Sequence, residues 1–98
     1  MDVLSLVKDK SLIKTDAYIN GQFVKSTSGK TFEVTNPVDG SVIAQVADCG
    51  ADMMAQAIDA AEIAQKSWAA KTAKERSQIL RKWYDLCMEN ADDLAIIL

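Results

Sequence analysis

The spacing of apolar residues changes period at Gly50, and no single kind of secondary structure can serve both sides of that point. Before it, AYINGQFV, KTFEVT and SVIAQVA alternate with a period of two, which suits strands with one buried face. After it, ADMMAQAIDAAEIAQKSW repeats with a period of 3.6. The chain is therefore expected to form β-hairpins over residues 17–47 and amphipathic helices over residues 50–98.

Asn20-Gly21 is the sharpest local signal in the first half, because a type I′ turn needs positive φ at both central residues. A two-residue loop there sets Ile19 opposite Gln22, Tyr18 opposite Phe23 and Ala17 opposite Val24, with Tyr18 and Phe23 as a cross-strand aromatic pair. The stretch Ser26 to Gly29 interrupts the pattern, which resumes with Phe32 and Val34 on one side and Thr31, Glu33 and Thr35 on the other. Pro37, the only proline, presets φ for a turn, and Asp39 and Gly40 tolerate left-handed geometry. Val42, Ala44 and Val46 then alternate against Ile43 and Gln45, closing a second hairpin. An isolated hairpin is marginal in water, so these strands are expected to need each other and a helical layer.

In the second half, Met54, Ala57, Ile58, Ala61, Ala64 and Trp68 fall on one helical arc, opposite Asp52, Gln56, Asp59, Glu62 and Lys66. Thr72-Ala-Lys-Glu75 reads as a capping box that starts a second helix. Its apolar stripe is Ile79, Leu80, Trp83, Leu86 and Cys87. Asn90 is expected to cap a third helix, where Asp92 and Asp93 suit the positive end of the dipole. The closing LAIIL has no polar finish and reads as an interrupted helix. Exposing Leu94, Ile97 and Leu98 would forfeit roughly 1.5–3 kcal/mol each if they are shaped for burial.

A chain of 98 residues is expected to build one small core. Its net charge of −3 argues against a nucleic-acid surface, which needs clustered Lys and Arg. Asp2, Lys8, Asp9 and Lys10 interrupt the N-terminal apolar residues, so a signal peptide is not expected. No apolar run approaches the roughly 20 residues of a membrane helix, and a soluble, cytoplasmic protein is the expectation. With no histidine and two distant cysteines, Cys49 and Cys87, a zinc site of the usual kind is excluded. Each cysteine is expected to be a small buried hydrophobe. Gly29-Lys-Thr31 lacks the upstream glycine and following helix of a phosphate loop. No catalytic or cofactor-binding residue is thus identified.

Taken in order, YINGQFV, FEVTNPVDGSVIAQVA, the alanine-rich helix ending in SWAA, and TAKERSQILRKWYDLCMENADDLA resemble the N-terminal segment of an NAD(P)-dependent aldehyde dehydrogenase, from about Ala17 to Leu98. ILRKWYDLCMENADDLA is most similar to succinate-semialdehyde dehydrogenases, while SGKTFEVTNPVDG fits betaine-aldehyde dehydrogenases equally well. The resemblance implies an α/β fold in which residues 1–98 are an incomplete part of a Rossmann-like NAD(P)-binding domain. It implies NAD or NADP as cofactor and a homo-oligomer in which this segment packs on the rest of its chain. The family's cysteine nucleophile, its glutamate base and its pyrophosphate-binding glycines belong to segments that this sequence does not match. Cys49 and Cys87 do not stand in the nucleophile motif. The resemblance further implies a monovalent cation held by the backbone carbonyls of Val34 and Thr35, together with a carboxylate from elsewhere. A free-standing, non-catalytic α+β interaction module is the alternative from another functional class.

Overall fold

A computed structural model of the chain describes residues 2–98. Two 3₁₀ turns, Val3–Leu6 and Lys10–Leu12, precede β1 (Ala17–Ile19), β2 (Gln22–Val24), β3 (Thr31–Thr35) and β4 (Val42–Ala47). Three helices follow: α1 (Ala51–Ala70), α2 (Ala73–Glu89) and α3 (Ala91–Ile97). The change from strand to helix falls at Gly50, as the change of period requires. The chain divides into two compact units, one of Lys14–Ile63 and one joining the N-terminal residues through Ile13 to Ala64–Leu98.

In the first of these, β1 and β2 pair antiparallel with Ala17 opposite Val24, Tyr18 opposite Phe23 and Ile19 opposite Gln22. Asn20 has φ of 52° and Gly21 of 77°, the positive values a type I′ turn demands. The Tyr18 and Phe23 rings meet at 4.9 Å between centroids, and the Lys14 ammonium lies 4.7 Å from the centre of the Phe23 ring. A Cβ built on Gly21 would meet nothing within 4 Å, so only backbone strain opposes a side chain there. Gly21→Val is accordingly expected to destabilise this hairpin by more than about 1 kcal/mol. Equal melting of variant and native chain would contradict the type I′ geometry.

β3 and β4 form a second, separate two-stranded sheet. Phe32 faces Val46, Glu33 faces Gln45 and Val34 faces Ala44, after which the register slips so that Thr35 faces Val42. This bulge was not foreseen from the alternation. Between the strands, Asn36 N–H donates to the Ser41 carbonyl at 2.8 Å and Gly40 N–H to the Asn36 carbonyl at 2.7 Å. Gly40 takes the left-handed conformation at φ 75°. Each hairpin stands as its own sheet, and all five residues of β3 are exposed.

The packed face of α1 matches only in part the one its periodicity indicates: Ala57 and Trp68 are half-buried as expected, but the rest of that arc is exposed. Met53 is 3% exposed and Ala57 and Ala60 are half-buried, whereas Met54 and Ile58 are exposed. Because Ala57 lies on both arcs, the face is rotated by less than the 100° that separates Met53 from Met54. The cause of the rotation is the Ser26–Gly29 turn, whose Thr27 grips the first turn of the helix. Thr27 N–H points at the Met53 sulfur (3.4 Å) and Thr27 Oγ1 donates to Asp52 Oδ2 (3.0 Å). A broad alanine-rich arc leaves the rotation free, and these polar contacts select it.

In the other unit, Thr72 caps α2 by accepting the Glu75 N–H at 3.2 Å. Asn90 does not cap α3: its side chain instead donates to the Leu86 carbonyl at 2.9 Å, closing the end of α2. With φ −110° and ψ 19°, it lacks the extended backbone that aims a capping oxygen at the next turn. The role given to Asp93 also changes. It is buried, and its two oxygens accept the Lys8 N–H (2.8 Å) and Asp9 N–H (2.9 Å) from the N-terminal stretch.

The one small core expected from the chain's length is not seen among the described residues. Among the described residues the buried apolar side chains are Val7 and Met53, one in each unit. Ile79, Leu80, Trp83, Tyr84 and Leu86 on α2 are all exposed, as are Leu94, Ile97 and Leu98. The amphipathic pattern of α2 is real, but its apolar stripe is uncovered.

Candidate functional site

Val34 and Thr35 close β3 immediately before the Asn36-Pro37 turn, and the register slip falls between them. A bulge interrupts a regular ladder and re-aims the groups beside it. Main-chain carbonyls carry partial rather than full negative charge, which suits a weakly held monovalent cation better than a divalent one. Among the described residues, no group of three or more His, Cys, Asp or Glu side chains could hold a metal ion.

The turn that follows is held by its own side chains. Asn36 Oδ1 accepts the Val38 N–H at 2.9 Å, and Asp39 Oδ1 accepts both the Ser41 N–H (2.9 Å) and the Ser41 hydroxyl (2.7 Å). These bonds, the hydroxyl first, hold the Asp39 carboxyl below its ordinary range. Local hydrogen bonds account for this perturbation, and they fix the loop beside Val34 and Thr35.

The Asp93 carboxyl is also held low, by the Asp9 N–H first and the Lys8 N–H next, with a smaller contribution from the Lys8 and Lys10 charges. A depressed folded value means that these bonds favour the folded state fully above the ordinary carboxyl range near pH 3.9. That advantage is lost as pH falls through the lower folded value. Sequence reading assigned Asp93 to the helix dipole and missed this contact, since its partners lie about 85 residues away in the chain.

A cleft of about 150 Å³ opens beside β3 and β4, with Asp16, Lys25, Ser26 and Lys30 among its walls. It is smaller than the roughly 300–1,000 Å³ of a typical small-molecule pocket. Lys25 is already paired with Asp16 at 3.5 Å, and Ser26 Oγ with Ser28 Oγ at 2.9 Å. Gly29-Lys-Thr31 runs into strand β3 rather than a helix, so no helix N-terminus is offered to a phosphate.

Cys49 is exposed, contrary to the expectation of a buried hydrophobe, because it lies in the short link between β4 and α1; Cys87 is half-buried on α2. Among the described residues no helix is long and apolar enough to cross a membrane.

Comparison with known proteins agrees with the fold. The profile of the aldehyde dehydrogenase family matches residues 23–98. A 3-sulfolactaldehyde dehydrogenase of Pseudomonas putida is 47% identical over 94% of this chain and 19% of its own length. A succinate-semialdehyde dehydrogenase [NADP(+)] of Escherichia coli is 44% identical over the same shares. The crystal structure of a succinate-semialdehyde dehydrogenase from Burkholderia pseudomallei superimposes with a TM-score of 0.88 at 47% identity, again over 94% of this chain and 19% of that one. The chain spans about a fifth of the length of the curated relatives it matches, and its paired strands and three helices are those of the N-terminal part of their fold. By sequence profile and by structure, the chain belongs to the aldehyde dehydrogenase family.

Proposed function

We propose that this chain is the N-terminal segment of an NAD(P)-dependent aldehyde dehydrogenase, an incomplete part of its cofactor-binding domain. The complete enzyme oxidises an aldehyde with an anionic group at its far end, succinate semialdehyde foremost. The supporting observation is identity of 44–47% across 94% of the chain to enzymes named for 3-sulfolactaldehyde and succinate semialdehyde. Both aldehydes carry a sulfonate or carboxylate remote from the reacting carbon. In the overall reaction aldehyde, water and oxidised nicotinamide give carboxylate, reduced nicotinamide and two protons. No residue of this segment is assigned a part in that chemistry. The complete enzyme works as a homo-oligomer in the cytoplasm, and this segment packs on the remainder of its own chain. The carbonyls of Val34 and Thr35 contribute to a monovalent cation site completed by a carboxylate from that remainder.

The test is to sequence past codon 98, express the whole reading frame, and follow reduced nicotinamide with succinate semialdehyde, betaine aldehyde and an uncharged aliphatic aldehyde. Turnover is expected with both NAD and NADP tried in turn, greatest for the anionic substrate. Preference for betaine aldehyde would overturn the anionic assignment. A stop codon directly after Leu98 would favour a free-standing interaction module.

A further inference from the structure

We infer that residues 2–13 form a detachable strap, and that Asp93 on α3 is the latch that fastens it through the Lys8 and Asp9 backbone amides. The two bonds, 2.8 and 2.9 Å, present adjacent N–H groups to the two oxygens of one carboxylate, a fork that fixes direction as well as distance. Val7, the residue just before the fork, is 1% exposed, so an apolar anchor sits beside the polar one.

The strap holds its own shape by contacts within itself. Asp2 Oδ1 accepts the Leu4 N–H (3.1 Å), and Asp9 Oδ1 accepts the Ser11 N–H (3.0 Å) and hydroxyl (2.6 Å). The Lys10 ammonium donates to the carbonyls of Leu4 (3.0 Å) and Ser5 (2.8 Å). Its links to the helical part are therefore few and concentrated, and removing one carboxylate removes most of the polar ones.

The charges around the latch keep it closed at neutral pH. Lys8 and Lys10 on the strap favour the carboxylate, the Asp9 carboxylate is engaged by Ser11, and the acids on the helical side are Asp92 on α3 and Glu89 at the end of α2. Protonating Asp93 turns one acceptor oxygen into a donor facing an N–H, which opens the fork.

Hydrogen exchange read by mass spectrometry on the native chain, Asp93→Asn and Asp93→Leu tests this. Asp93→Asn keeps the shape of the side chain but sets an NH₂ against one of the two amides. It should speed exchange in the peptide covering residues 3–12 by roughly tenfold or more, with peptides from β1–β4 and α2 unchanged. Asp93→Leu should do at least as much. After correction for intrinsic rates, the native strap should loosen only below about pH 4. Native-like protection of the strap in Asp93→Asn overturns the inference. So does a loss in that variant that spreads evenly through α2 and the strands, since Asp93 would then hold up the whole fold rather than fasten one strap.

Discussion

Purified alone, the 98-residue chain is expected to produce no reduced nicotinamide from succinate semialdehyde with either NAD or NADP. Oxidation through a covalent intermediate needs a nucleophile activated by a neighbouring base or cation, and a held cofactor. The chain has no histidine; Cys49 is exposed in a link, and Cys87 is half-buried on α2. Gly29-Lys-Thr31 leads into a strand, so it lacks the helix N-terminus that would receive a pyrophosphate. The cleft of about 150 Å³ is too small for a dinucleotide. The measurement is absorbance of the reduced cofactor, with the Cys49→Ser/Cys87→Ser double variant as control. Turnover above background that survives in the double variant would show a chemistry these residues do not explain.

The same chain should self-associate through α2. Ile79, Leu80, Trp83 and Leu86 are all roughly half or more exposed, and Trp83 reaches 65%. Fully burying one such side chain is worth about 1.5–3 kcal/mol. Among the described residues only Val7 and Met53 are fully buried apolar side chains, so the drive to cover the stripe is large beside the internal packing. Light scattering under reducing conditions should give a mass that is a multiple of the 10.7 kDa monomer. The Leu80→Glu/Trp83→Glu pair should return it to the monomer while helical content persists, since Glu is a good helix former. A native chain that is monomeric and binds no hydrophobic dye would refute the idea that this face needs a cover.

What the sequence determined by itself was local. Positive φ at Asn20-Gly21 fixed the first hairpin and its register, because few backbones satisfy a type I′ turn. The change of period at Gly50 placed the strand-to-helix boundary, and Thr72 fixed the start of α2 through one hydroxyl three residues from its partner. The family was legible for a related reason: four motifs in the right order need no contact between them. The candidate cation position was legible only through that resemblance, since the bulge between Val34 and Thr35 depends on how β4 pairs. What tertiary structure alone decided was which face of each element is covered and which distant groups meet. Periodicity finds an apolar arc but not its rotation to the nearest residue, so it took Thr27 to turn Met53 rather than Met54 inward. Asn90 could cap forward or bond backward, and its backbone angles chose the latter. Asp93 looks like any acid in a first helical turn until the chain returns two amides from 85 residues away, because only folding brings hydrogen-bond partners so distant in sequence into reach.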